Sequence, residues 1–158
     1  MINADINFVR ANENDAQDII NERNLAFYSD YIRYGECPGY NIPMEIMKKI
    51  ISKSSVFKIM SDDKIIGDFS ARSLSDKAYF IGCLSIVPEY QNKGVGKKAI
   101  KYMSVLFPDA EKWTLITPAD NKRNLYFYKK CGFAIVGRKM DGNVKVVIFE
   151  KTVNKLSN

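Results

Sequence analysis

Between residues 78 and 117 the apolar pattern changes period twice, and that change restricts the folds open to this chain. Residues 78–87 (AYFIGCLSIV) read as a strand, and residues 113–117 (WTLIT) as another. Between them, residues 94–107 (GVGKKAIKYMSVLF) place Val95, Ala99, Ile100, Met103 and Leu106 on one broad helical face. Two strands joined through a helix lie parallel in one sheet, with a right-handed crossover. The flanking segments supply antiparallel partners. Strands over 55–60 and 64–74 are separated by Ser61-Asp62-Asp63 and run into 78–87 as a meander, while strands over 133–138 and 144–150 flank Asp141-Gly142-Asn143. A strand over 6–9 precedes a helix over 15–29, for which Asn12 and Asn14 offer N-caps. Residues 31–41 (YIRYGECPGYN) read as an irregular loop, 43–53 as a helix with proline in its first turn, and 122–130 as a further helix. The expected fold is mixed α/β: a mostly antiparallel central sheet with one parallel strand-helix-strand crossover, helices on both faces, and one domain over residues 1–158.

Composition removes whole classes of chemistry. The chain has no histidine, and with it go the commonest general base, the commonest metal ligand and every Ser/His or Cys/His nucleophile pair. Cys37, Cys83 and Cys131 are odd in number and far apart, so reduced thiols and no metal centre are expected. No stretch approaches the roughly 20 apolar residues of a bilayer span, and residues 1–10 (MINADINFVR) lack the pattern of a signal peptide. A cytoplasmic protein without a membrane partner is the expectation. The net charge of +6 is uneven: residues 1–50 carry net −3 and the remainder net +9, so an anionic ligand belongs to the later portion.

The densest chemical signal is LSIVPEYQNKGVG, which begins at Leu84 and ends at Gly96. Here a strand leads through Gln91-x-x-Gly94-x-Gly96 into a helix. Glycines let successive backbone N–H groups turn into one concavity, and the helix N-terminus adds about half a positive charge, an arrangement that suits a pyrophosphate. A dinucleotide fingerprint needs a third glycine, and a Walker loop needs Gly-Lys-Ser/Thr where this chain has Gly96-Lys97-Lys98.

This stretch resembles the acetyl-CoA signature of the GNAT superfamily of N-acetyltransferases. A second run, residues 121–133 (NKRNLYFYKKCGF), is similar to the family pattern N-x-x-(A/N)-x-x-(F/L)-Y-x-K-x-G-F at Asn121, Asn124, Phe127, Tyr128, Lys130, Gly132 and Phe133. The resemblance implies that strand residues including Leu84, Ile86 and Val87 bind the pantetheine arm of acetyl-CoA. It implies that backbone amides across Gln91, Asn92, Lys93, Gly94, Val95, Gly96 and Lys97 hold the pyrophosphate, with Lys93, Lys97 and Lys98 adding charge. Asn121 and Asn124 would cap the later helix and touch the coenzyme, and the Tyr128 hydroxyl would protonate the departing thiolate.

The resemblance implies direct transfer of an acetyl group to a primary amine but does not select the acceptor, for which the acidic first 50 residues and their tyrosine loop suggest a small cationic molecule. The family's glutamate base, eleven residues before Gln91, is replaced here by Phe80, which leaves Glu36, Glu45, Tyr31 or a water chain as candidate bases. Tyr31, Tyr34 and Glu36 are the expected acceptor residues: aromatic faces and a carboxylate favour a cation. A homodimer is compatible with the family. Lysines interleaved with aromatics over residues 93–130 also raise nucleic-acid binding as an alternative, but no recognised nucleic-acid signature accompanies them. A second alternative is an acyl-CoA-binding regulator without turnover.

Overall fold

The computed structural model describes residues 5–153; Met1, Ile2, Asn3 and Ala4 of the N-terminal stretch read above lie outside the described residues. The sheet has seven strands in the order β1-β2-β3-β4-β5-β7-β6. In chain order these are β1 (Ile6–Arg10), β2 (Ser55–Ser61), β3 (Lys64–Ser75), β4 (Ala78–Ile86), β5 (Lys112–Pro118), β6 (Ala134–Asp141) and β7 (Val144–Thr152). The helices are α1 (Ala16–Tyr34), α2 (Met44–Lys53), α3 (Val95–Leu106) and α4 (Lys122–Lys130). One strand pair is parallel, β4 with β5, and the mixed α/β class expected from the crossover is the one observed. The described residues fall into two compact units, one of residues 5–72 and 82–101, the other of residues 73–81 and 102–153.

In the first unit Asn12 builds a capping box. Its side chain accepts from the Asn14 N–H at 2.8 Å, and the Asp15 carboxylate accepts from the Asn12 N–H at 2.9 Å, which closes the 3-10 turn Glu13–Asp15 that leads into α1. Ile19 and Ile20 of α1, Met47 and Ile51 of α2, and Val56 of β2 close a core together with Ala11 and Ala16. Met47 and Ile51 are one helical turn apart, which is why α2 buries one stripe. In the same unit Phe57 stacks on Phe69 at 5.2 Å and Phe8 meets Phe69 edge-on at 6.1 Å.

One boundary differs from the sequence reading. The first helix does not stop near Ser29 but runs to Tyr34, so Tyr31 and Tyr34 are helical and the loop begins at Gly35. Gly35 has φ +75° and its N–H donates to the Tyr31 carbonyl at 2.9 Å, the left-handed stop that ends a helix. The cluster of Gly, Pro and Tyr after residue 31 hid a stop signal that belongs to a single residue.

In the second unit β5 and β7 pair antiparallel from Lys112↔Thr152 to Pro118↔Val146, and β6 and β7 form the hairpin around Gly142. The parallel register of β4 with β5 is short, covering Ala78, Tyr79 and Phe80 against Lys112, Trp113 and Thr114. Tyr79, Phe107 and Trp113 pack beside it with ring centroids 4.7 to 5.8 Å apart.

Candidate active site

The loop expected to hold a phosphate forms a tight turn between β4 and α3. After β4, residues Pro88–Tyr90 make one 3-10 turn, with the Tyr90 N–H donating to the Val87 carbonyl at 2.9 Å. Asn92 and Gly94 then adopt left-handed backbone, φ +61° and +83°, and α3 starts at Val95. Alternating hand aims consecutive N–H groups to one side, and the first-turn amides of α3 have no intrahelical acceptor. The Lys98 N–H, bonded to the Gly94 carbonyl at 3.1 Å, is the first to enter the helical ladder. Gln91 braces this turn: its side-chain amide donates to the Ile86 carbonyl at 2.8 Å. Val95 and Gly96 are buried, while Lys93, Gly94, Lys97 and Lys98 are exposed. The loop thus presents free helix-start donors and three lysines to solvent, which fits a polyphosphate.

Of the strand residues, Leu84 and Ile86 are half-buried, whereas the Val87 side chain is core and its N–H donates to the Ile66 carbonyl at 2.9 Å.

In the second unit Asn121 caps α4, accepting from the Asn124 N–H at 3.1 Å, and the Asn124 side-chain amide donates to the Thr117 hydroxyl at 3.0 Å. Both asparagines therefore fasten the start of α4 to the end of β5. Tyr128 is buried, its ring packed edge-on to Phe127 at 5.0 Å and Phe133 at 5.7 Å, and tilted against Phe149 at 5.7 Å. Its ring is a core element as well as the bearer of a hydroxyl.

The acceptor candidates separate. Tyr31 stacks on Tyr40 at 4.5 Å with Tyr28 at 6.1 Å from the same ring, an aromatic platform of which the first reading held only part. The Arg33 guanidinium lies over the Tyr34 ring at 5.4 Å. Glu36 follows the helix stop. The loop folds back on α1, where the Asn41 N–H donates to Asn24 at 2.8 Å and Gly39 approaches the Phe27 ring so closely that a side chain would collide.

A feature that sequence reading missed lies under β4 in the first unit. Arg23 donates to both oxygens of Asp68 at 3.0 and 2.7 Å, and the Ser85 oxygen lies 2.8 Å from Glu22 Oε2 and 2.8 Å from Asp68 Oδ1. All four are buried. Burial, then the charge of Asp68 and a hydrogen bond to it, push the Glu22 carboxyl well above the usual carboxylate range. Burial works the same way on Asp68, but the Arg23 charge and hydrogen bonds overcome it and hold that carboxyl below its ordinary value. Burial pushes the neighbouring Cys83 thiol up, so it stays protonated. Ile66, Asp68 and Ser70 occupy successive same-face positions of β3 and all are buried, so the Asp68 charge requires a buried partner, which Arg23 supplies.

Among the described residues no group of three or more His, Cys, Asp or Glu is placed to hold a metal ion, and no helix is long and apolar enough to cross a membrane.

Solved acetyltransferase structures share this fold. PaiA N-acetyltransferase of Thermoplasma acidophilum, solved in complex with coenzyme A, superposes with a TM-score of 0.81 at 18% identity, over 94% of this chain and 99% of that one. A GNAT family acetyltransferase of Elizabethkingia anophelis with acetyl-CoA bound gives 0.68 at 14% identity, over 94% and 98%. Those likenesses define the fold class. In sequence, the chain is 30% identical over 132 residues to uncharacterized protein YrkN of Bacillus subtilis (strain 168), covering 80% of this chain and 71% of that one. The model of the Acetyltransferase (GNAT) family matches residues 17–133, and this chain belongs to that family.

Proposed function

We propose that this chain is an N-acetyltransferase that passes the acetyl group of acetyl-CoA directly to a primary amine on a small cationic molecule. The observation that carries the reading is the turn from Gln91 into α3, where left-handed Asn92 and Gly94 precede first-turn amides flanked by exposed Lys93, Lys97 and Lys98. That donor set suits the diphosphate of a coenzyme, and both solved relatives described above hold coenzyme A or acetyl-CoA. In this reading main-chain amides around Leu84 and Ile86 receive the pantetheine and the developing oxyanion, and Tyr128 gives its proton to the leaving thiolate as the C–S bond breaks. A neutral amine must attack, and a free lysine-like amine has a pKa of about 10.4. With Phe80 at the family's glutamate position, Glu36, Glu45, Tyr31 or water takes that proton.

Gly94→Val tests the loop. A β-branched side chain is strained at φ +83°, and it also intrudes where backbone must meet phosphate, so the folded variant should bind acetyl-CoA at least about tenfold more weakly by calorimetry. Unchanged affinity would remove the loop from the site. Release of free thiol from acetyl-CoA across an amine panel separates an enzyme from a regulator that binds without turnover.

The cationic acceptor rests on the net −3 of residues 1–50 and the exposed tyrosines at the end of α1. Glu36→Gln with Tyr34→Ala should raise the acceptor KM severalfold and leave the acetyl-CoA KM nearly unchanged. Because Tyr31 and Tyr40 form the stacked pair, Tyr31→Ala should have the larger effect of the two tyrosine changes. A best substrate that is anionic would end this part of the proposal.

A further inference from the structure

Glu22, Asp68 and Ser85 come from three elements, α1, β3 and β4, and their contacts can be satisfied only if the group holds an extra proton. The Ser85 hydroxyl has a single proton yet meets a carboxyl oxygen of each acid at 2.8 Å, so whichever acid it donates to, the other contact is filled only by a protonated carboxyl. Asp68 already takes two bonds from Arg23 and remains the anion. The proton therefore sits on Glu22, whose second oxygen, Oε1, is buried without a hydrogen-bond partner, a situation a neutral acid tolerates far better than a carboxylate. The groups facing Glu22 are Arg23 on its own helix, Asp68 on β3, and Ser85 with the protonated Cys83 thiol on β4. Gly67 of β3 lies against the Ser85 carbonyl and the Ile86 Cα so closely that a side chain there would collide, so the cluster and the β4 main chain are tightly coupled.

We infer that Glu22, as the neutral acid, is a positioning residue for the coenzyme strand: through Ser85 it fixes the main chain of Leu84 and Ile86, so that acetyl-CoA affinity is lost as Glu22 gives up its proton. The inference rests on the coenzyme reading above. It assigns no proton transfer in the reaction to Glu22; the acid is a structural proton store whose state sets the strand.

The sign follows from linkage. Glu22 is protonated in the folded chain and ionised in the unfolded one from about pH 5 upward, so its contribution is complete below that pH and is lost as pH rises through its folded value. Calorimetric Kd for acetyl-CoA and the Tm without ligand, both measured from pH 5 to 9.5, test the idea on wild type, Glu22→Gln and Ser85→Ala. Glutamine keeps a neutral donor but cannot ionise. The ratio of wild-type Kd to Glu22→Gln Kd should rise by about tenfold or more across the range, and the Tm of wild type should fall with pH relative to Glu22→Gln. Ser85→Ala should keep the Tm trend of wild type and lose the Kd trend, because it uncouples the acid pair from β4. Parallel Kd profiles for wild type and Glu22→Gln, with binding intact, would overturn the positioning role and leave the coenzyme reading standing. No binding by wild type at any pH would overturn the coenzyme reading and the inference with it. A Tm that runs parallel in the two proteins would show that Glu22 holds no proton.

Discussion

Asp68→Ala should destabilise the protein by about 3–5 kcal/mol, the cost of leaving a buried charge without its partner, and lower Tm by roughly 10 °C or more. Asp68 is fully buried and receives both the Nε and Nη2 donors of Arg23, so its removal strands a guanidinium that burial keeps out of water. The same change removes the Asp68 carboxylate that accepts from the Ser85 hydroxyl. Replacing the pair together, Arg23→Met with Asp68→Leu, should recover much of the loss, since apolar groups of similar volume leave no orphan charge. An exposed pair gives the contrast: Lys77 and Glu111 meet at 3.6 Å with both side chains about half exposed, and Lys77→Ala should stay within about 1 kcal/mol of wild type. Denaturant melts of the variants decide it. The pH limbs carry opposite signs, because Asp68 is held below its ordinary value and Glu22 above. The Asp68 contribution is present above about pH 4 and lost as pH falls through its folded value, whereas the Glu22 contribution is lost as pH rises. Asp68→Ala should erase the acid limb, and an unchanged acid limb would show that this ion pair is not what acid breaks.

What the sequence discloses and what it hides in this protein divide along the range of the interactions involved. The crossover from β4 through α3 to β5 is legible because each element repeats its own apolar period over enough residues to declare itself, and the parallel pairing of Ala78 with Lys112 follows from the connection. The turn before α3 is legible for the same local reason: Gly94 sits where φ is +83°, and the structure needs no distant partner to shape it. The end of α1 was misplaced by five residues because the stop is made by Gly35 alone, while Tyr31, Ile32 and Tyr34 carry no helical signal strong enough to outweigh the Gly and Pro that follow. The buried cluster was illegible because its bonds join residues 45 and 63 positions apart. Nothing near Glu22 in the chain distinguishes it from an acid on a solvated face; only packing of α1 under β3 and β4 reveals that Ile19, Glu22 and Ala26 share the buried side. The acceptor reading shows both behaviours, since the tyrosines were visible as a group but the stack of Tyr31 on Tyr40 depends on how the loop returns to the helix.

Tyr128→Phe should lower kcat by about 10- to 1000-fold while leaving the acetyl-CoA KM within about twofold, because in the proposed mechanism it deletes one proton donor to the leaving group and no packing volume. The burial of the ring makes this substitution more informative than it would be on a surface. Phe127, Phe133 and Phe149 surround Tyr128 at centroid distances of 5.0 to 5.7 Å, so phenylalanine preserves the aromatic contacts and alanine does not. Tyr128→Ala should therefore lose about 3–5 kcal/mol of stability along with activity, and Tyr128→Phe should stay within about 1.5 kcal/mol of wild type by denaturant melts. Asn121 caps the same helix and Asn124 ties its start to Thr117, so the backbone that carries position 128 is fastened independently of the hydroxyl. A pH profile adds a test that packing cannot imitate. If the phenol is the acid, an alkaline limb of kcat seen in wild type should vanish in Tyr128→Phe. Full kcat in a Tyr128→Phe protein that melts earlier than wild type would make the hydroxyl a structural hydrogen-bonding group and move the proton donor elsewhere.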